Sequence, residues 1–403
     1  MAVNLTEKRA DELLEIDGIR LFTGRAGIKQ QDRDDLTLMV LGGGHTVGAV
    51  FTQNRFCAAP VHIAKSHLFD QDGVCALVIN TGNANAGTGA QGRLDAIKVC
   101  AAAAEQVGCQ SNQIMPFSTG VILEPLPVDK IVAALPQVRP AFWSDAARAI
   151  MTTDTVPKAA SRTGLVGEKH TVRATGIAKG SGMIHPNMAT MLAFITCDAN
   201  ISSATLQKAL SQHVESTFNQ ITVDGDTSTN DMVLVMANGC RQNEEILPDT
   251  EEFEKFSKML RYLMADLAKK IAKDGEGATK LIEVNVRHAK DERSGRMIAK
   301  SVVGSSLVKT AIFGQDPNWG RILAAIGYAG ADVSVDNIDI WIAGIPVMQA
   351  SSPVAFNPEE TSDAMAGELL ILTIDLHDGD AEAQAWGCDL SYDYVKINAL
   401  YRT

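Results

Sequence analysis

Thr190 stands where a side-chain hydroxyl could attack the chain's own backbone. It follows Ala189 and heads Met191–Cys197, a near-continuous apolar run that reads as a buried strand; the approach to it, from Gly176, is rich in glycine. A hydroxyl at such a loop-to-strand junction can attack the preceding carbonyl, turn the Ala189–Thr190 peptide into an ester, and lose the upstream segment to water. What remains is an N-terminal threonine whose α-amine can serve as base for its hydroxyl. No distant histidine is then required. An ordinary loop and strand beginning with Thr would look the same, since Ala-Thr ahead of a strand is common.

Other polar stretches could complete such a site. Thr119-Gly120 lies in MPFSTGVILEPLP (115–127), read as a turn that aims a hydroxyl and a backbone N–H in one direction, as an oxyanion hole requires. Thr152 to Thr155 is a polar cluster ahead of Pro157, the usual composition of a turn. Lys179 is the sole cation on the glycine-rich approach to Thr190. Glu276, between Gly275 and Gly277, could hold an amino group or be a solvated turn acid. Asp224, Asp226 and Asp231 invite a calcium reading, but their spacing fits no EF-hand. His213 reads as a surface or packed residue and not as a ligand.

The elements that must position these groups are partly legible. Leu36–Leu41 and Val47–Thr52 flank Gly42-Gly43-Gly44-His45, which predicts a hairpin, and AAPVHIAK after them reads as another strand-like run. CALVINTGNANAGTGAQG (75–92) is a strand, Ala76–Asn80, running into a Gly/Asn loop before a helix over Arg93–Val107. That order either binds an anion at the helix N-terminus or forms a tight connection needing positive φ. A strand pair precedes Thr190, a helix covers 203–219, and Met232–Ala237 is an apolar strand. Phe253, Phe256, Leu260, Leu263, Leu267 and Ile271 recur every three or four residues, the signature of a helix ended by Gly275. Leu281–Arg287 alternates as a strand, Ala299–Phe313 reads as a helix, and Leu390–Ile397 as a last strand.

Composition narrows the class. The chain has 403 residues, enough for two domains or one large one, with 46% hydrophobic and 21% charged residues, ordinary for a globular protein. A net charge of -12 argues against nucleic acid or an anionic membrane as partner. The first residues are charged and lack the apolar core of a signal peptide. No apolar run reaches the roughly 18 residues of a membrane span. Seven scattered cysteines without a CxxC read as reduced thiols, so a cytoplasmic location is expected.

Taken together, VGAVFTQNRFCAAPV, NTGNANAGTG, STGVI, MTTDTVPK, AKGSGMIHPNMATML, TVDGDTSTND, DGEGATK, IFGQDPNWGRI and INALYRT resemble the ornithine acetyltransferase family of arginine biosynthesis, also called the bifunctional glutamate N-acetyltransferase family. The resemblance covers essentially the whole chain and keeps the segments in order. It implies an α+β fold like that of the N-terminal-nucleophile-like aminopeptidases, with sheets packed between helices. It further implies self-cleavage between Ala189 and Thr190 into an alpha chain (1–189) and a beta chain (190–403), two of each associating as a heterotetramer. Thr190 would be the nucleophile, Thr119 and Gly120 the oxyanion pair, and Thr152, Lys179, Glu276, Asn398 and Thr403 substrate contacts. The implied reaction moves acetyl from N-acetylornithine to glutamate through an acetyl-Thr190 ester. No bound cofactor or metal is implied, and acetyl-CoA as a second donor stays open. A hydrolytic aminopeptidase or amidase on the same scaffold, a secondary-metabolism acetyltransferase, and a non-catalytic amino-acid-binding protein are the alternatives. Such hydrolases favour Ser as nucleophile, and the intact Thr190, Thr119 and Gly120 disfavour a mere binder.

Overall fold

The computed structural model describes residues 2–28, 32–42, 45–69, 73–167, 169–186 and 191–400. Ala189, Thr190 and Thr403 lie outside these residues. Up to residue 237 the strands are Arg20–Gly24 (β1), Leu36–Val40 (β2), Thr46–Phe51 (β3), Ala76–Asn83 (β4), Ile114–Val121 (β5), Arg139–Ala141 (β6), Lys158–Val166 (β7), His170–Lys179 (β8), Leu192–Cys197 (β9), Ile221–Thr222 (β10) and Met232–Ala237 (β11). Ten of them form two five-stranded sheets, ordered β5-β4-β2-β1-β6 and β3-β11-β9-β8-β7. β10 belongs to a third, seven-stranded sheet, where it pairs with strand Ala381–Cys388.

Alternation along the strands explains the layering. On β9, Leu192 and Phe194 face the first sheet, where they meet Leu77, Ile79, Met115 and Phe117. Ala193, Ile195 and Cys197 turn the other way, onto helices Ser203–Val214 and Glu251–Lys273. β11 splits likewise, Met232, Leu234 and Met236 against Val233, Val235 and Ala237. A strand covered on both faces must be apolar throughout, which is why both runs stand out in the sequence. The far face of the first sheet, with Leu36, Leu38 and Val40, packs on Val99, Cys100 and Ala103 of helix Gly89–Val107. The order is therefore helix, sheet, sheet, helix, the expected α+β sandwich. The third sheet has its own core with helices Glu292–Gly304, Ser306–Phe313 and Trp319–Gly327.

Several expectations need correction. β2 and β3 are not a hairpin: β2 pairs with β1 and β4, whereas β3 pairs with β11 in the other sheet. The chain crosses between sheets there, so Met39 and Ala49 share the inter-sheet core from opposite sides. AAPVHIAK is helical, Ala59–Leu68, opened by a proline near its N-terminus. Thr119-Gly120 is not in a turn but near the end of β5. The helix expected over Ala299–Phe313 is two helices meeting at Ser305, which N-caps the second. Leu390–Ile397 is no strand: helix Tyr392–Leu400 occupies that stretch. Its alternation arises from exposed Tyr392 and Val395 on one side, and Tyr394 and Asn398 fall one helical turn apart.

Candidate active site

Most of the residues singled out in the sequence converge on one pocket. Thr119, Gly120, Thr152, Lys179, Glu276 and Asn398 all line it, together with Met191 and Leu192 at the head of β9. Ala189, Thr190 and Thr403 are outside the described residues, but Thr190 is bonded to Met191, which is in the wall.

β5 and β8 supply one side. Phe117 on β5 meets Phe194 on β9 edge to face, centroids 4.9 Å apart, locking the two sheets together two residues before Thr119. Lys179, the last residue of β8, donates from Nζ to the Thr119 Oγ1 at 3.1 Å. An ammonium has only protons to give, so the Thr119 hydroxyl accepts that bond and keeps its own proton for another acceptor. Gly120 has φ +135°, and a Cβ there would strike the backbone of Gly82 and Asn83 on β4. Only glycine lets β4 and β5 close at this point. Replacing Thr119 by alanine is expected to lower kcat about a hundredfold with little change in KM, measured by steady-state kinetics. A change confined to KM would make Thr119 a binding residue instead.

The opposite side comes from the turn after helix Glu251–Lys273 and from the last helix. Glu276 donates its backbone N–H to the Ser181 carbonyl (2.9 Å), and its Oε2 accepts from Asn398 Nδ2 (2.8 Å). Gly277 has φ +72° and no room for a Cβ beside the Tyr394 nitrogen, so the helix backbone sits directly on the turn. Ser391 Oγ donates to the Gly277 carbonyl at 2.5 Å and fixes the helix start. Asp224 accepts from the backbone N–H groups of Met183 (2.6 Å) and Ile184 (2.9 Å), holding the loop after β8.

A buried ion cluster ties these segments together. Lys158 Nζ lies 2.6 Å from Asp154 Oδ1 and 2.6 Å from Asp274 Oδ2, with all three side chains essentially without exposure. Asp154 also accepts from the N–H of Thr152 (2.9 Å) and Gly180 (2.7 Å). Asp274 accepts from the Thr155 N–H at 2.9 Å and stands two residues before Glu276. Burial alone would raise the Asp154 carboxyl, but Lys158 and Lys179 together hold it below its ordinary value. Burial lowers Lys179 in turn, opposed by Asp154 and Asp231.

Sequence reasoning missed this cluster, because its partners lie 116 residues apart. It also passed over Asn230, whose Nδ2 donates to the carbonyls of Ala84 (2.6 Å) and Ser118 (2.8 Å) and so joins the TSTND loop to β5. The signal was the density of acids and hydroxyls just before an apolar strand. His213 is packed as expected, buried with Nε2 2.6 Å from Ser257 Oγ. Among the described residues, His288, Asp375 and His377 are grouped within ligand distance of one another, and Asp375 is hydrogen-bonded to His288.

Comparison with known proteins agrees with this picture. The ArgJ family profile matches residues 20–403. An arginine biosynthesis bifunctional protein ArgJ from Neisseria meningitidis (serogroup A / serotype 4A) is 59% identical over 407 residues, covering all of both chains. The protein of that name from Streptococcus thermophilus is 58% identical over 379 residues, 94% of this chain and 95% of its own. A crystal structure of ArgJ from Bacillus halodurans superposes with a TM-score of 0.51 at 52% identity, covering 53% of this chain and 100% of the solved one. With its whole length matched at this level of identity, the chain belongs to the ArgJ family.

Proposed function

We propose that the protein transfers acetyl from N-acetylornithine to glutamate in arginine biosynthesis, after cutting itself between Ala189 and Thr190. The observation that carries this reading is the meeting of Thr119, Gly120, Thr152, Lys179, Glu276 and Asn398 around one pocket that Met191 also lines. The solved Bacillus halodurans chain is matched over its full length yet covers 53% of this one. That supports a family whose members exist as two pieces.

The Thr190 hydroxyl attacks the acetyl carbonyl while its α-amine takes the proton. Charge builds on the carbonyl oxygen, and the Thr119 hydroxyl with the Gly120 N–H stabilises it. The C–N bond breaks, the amine returns the proton to the departing nitrogen, and ornithine leaves an acetyl-Thr190 ester. Glutamate then attacks with its amine and regenerates the hydroxyl. Lys179 pairs with the substrate α-carboxylate and Glu276 with the side-chain ammonium of ornithine; Thr152, Asn398 and Thr403 complete the contacts. No bound cofactor takes part, and acetyl-CoA serves as a second acyl donor. The two fragments remain associated as a pair of pairs, in the cytoplasm.

The test is an assay of N-acetylornithine with glutamate, repeated with acetyl-CoA as donor. Formation of ornithine and N-acetylglutamate in equal amounts is expected; release of free acetate instead would mean a hydrolase. In the same assay Glu276→Gln should raise KM for N-acetylornithine about tenfold, the worth of one hydrogen bond to a charged group. An unchanged KM would remove the ammonium from Glu276.

A further inference from the structure

The third sheet carries a second group of side chains able to do chemistry, none of which lines the pocket described above. Strands Leu281–Ala289, Leu369–Asp375 and Asp339–Ile342 lie side by side there, and their register puts Arg287 and Asp339 opposite Asp375 on its two sides. From Val286 to Ala289 the first strand takes three steps where its other neighbour takes two, from Ala383 to Ala381, so a bulge holds Arg287 and His288. A bulge re-aims a side chain. His288 has φ +47° in it and brings Nδ1 to 2.9 and 2.8 Å from the two carboxylate oxygens of Asp375. His377, two residues beyond Asp375, also has φ +47°. Such values are uncommon outside glycine, and here two histidines adopt them at one spot. Backbone bonds lock the segments together, from the Leu376 N–H to the Arg287 carbonyl (3.0 Å) and from the Asp378 N–H to the His288 carbonyl (2.8 Å). The two rings stand nearly parallel, 15° apart, with centroids separated by 6.0 Å.

The ring of His377 is held from behind. Its Nε2 is 3.0 Å from Asp339 Oδ2, and Asp339 is fixed in turn by accepting from the Ala350 N–H at 2.7 Å. A neutral imidazole that gives its Nε2 proton to Asp339 keeps a bare lone pair on Nδ1. That nitrogen faces Asp375 Oδ1 at 3.4 Å. The separation is beyond the roughly 2.7–3.2 Å of an N–H···O bond, and two lone pairs meet there. A cation satisfies both at once, and a carboxylate behind the ring is the usual outer support of a metal-binding histidine. Metal–ligand bonds of about 2.0–2.2 Å at tetrahedral angles place neighbouring donor atoms roughly 3.3 Å apart. The donor atoms of His288, Asp375 and His377 all lie within 4.8 Å of one another. Both histidines are exposed, so their rings can close the remaining gap and leave a fourth position to water, while Asp375 is buried and fixed.

We propose that His288, Asp375 and His377 ligate a divalent transition-metal ion of the zinc class, with Asp339 as the positioning residue. Two imidazoles and one carboxylate suit zinc, whereas calcium and magnesium call for oxygen ligands. Bound there, the ion pins the bulge of Leu281–Ala289 to the end of Leu369–Asp375. Neither Thr190 nor acetyl transfer enters into it.

The experiment titrates micromolar protein, stripped with EDTA and then freed of it, with zinc chloride in a calorimeter. Wild type is compared with the His288→Gln/His377→Gln double variant and with Asp339→Asn. Wild type should bind one equivalent more than the double variant, and zinc should raise its melting temperature further. Equal stoichiometry and affinity in the two proteins would overturn the proposal and leave the histidines as ion-pair partners of Asp375 and Asp339. Asp339→Asn should weaken that equivalent about ten- to a hundredfold, and Asp339→Glu should restore part of the loss. Unchanged affinity in Asp339→Asn would remove Asp339 from the site. The seven cysteines could also take zinc, and the double variant could fail to fold. X-ray absorption of wild type loaded with one equivalent of zinc therefore decides without a variant: nitrogen and oxygen neighbours alone support the site, and sulfur neighbours overturn it.

Discussion

Thr190→Ala leaves one uncut 403-residue chain and no detectable acetyl transfer. Both effects would follow from a single hydroxyl, since the same oxygen that would open the Ala189 peptide would also carry the acetyl group. Denaturing intact mass with N-terminal sequencing reads the first effect: the wild-type second fragment begins Thr190-Met191-Leu192, and the variant gives full-length mass alone. Transfer between N-acetylornithine and glutamate reads the second. Thr190→Ser, which keeps a hydroxyl, should retain both at reduced rates. An alanine variant that is still cut at this bond, or still transfers acetyl, would refute the assignment of Thr190.

Lys158→Met is expected to cost about 3–5 kcal/mol of folding stability, the range for removing one partner from a buried ion pair. Methionine fills the space of the lysine stem but removes the cation between Asp154 and Asp274, leaving only Lys179 to act on Asp154. Urea denaturation measures the loss, and a change below about 1 kcal/mol would show that the cluster does not carry the stability assigned to it. The pH dependence has a definite sign. Asp154 is depressed in the folded wild type, so its contribution is complete above the unfolded value of about 3.9 and is lost only as pH falls through the lower folded value. In the variant the same carboxyl would be raised by burial, and protonation would then favour the folded form. The gap between wild type and variant should therefore narrow as pH falls from 7 to 5.

How much of this was visible in the sequence depends on where the determining contacts lie. β9, β11 and helix Glu251–Lys273 were legible because their burial is written into their own residues, as an unbroken apolar run or a repeat of three and four. The crossing from β2 to β3 was not, because an apolar run, a glycine turn and a second apolar run describe a hairpin and a change of sheet equally well. Helix Tyr392–Leu400 was misread as a strand because its placement comes from Gly277 and Ser391 and not from an apolar face of its own. The site divides in the same way. Thr119, Lys179, Glu276 and Asn398 could be named from segments that resemble a family. Asp154, Lys158 and Asp274 could not, since a buried charge is distinguishable from a solvated one only when its distant partner is known. Asp231 reads in the sequence only as one of three spaced acids, and its burial in the pocket wall depends on β11 lying beside β9.

The pairing of β8 with β9 has a consequence for the life of the cut protein. Six residue pairs, from Ala174 with Cys197 to Lys179 with Leu192, join the strands on either side of the proposed break. While the sandwich stays folded, severing the link between them loosens no layer, and the fragments cannot separate. Once unfolded they become independent molecules, and the connection that formerly brought β8 to β9 at no cost in encounter is gone. Recovery from denaturation then depends on two chains meeting, so it slows on dilution, whereas the uncut chain regains its fold at a rate independent of concentration. Self-cleavage at this bond would make the native state one that can be entered easily only once.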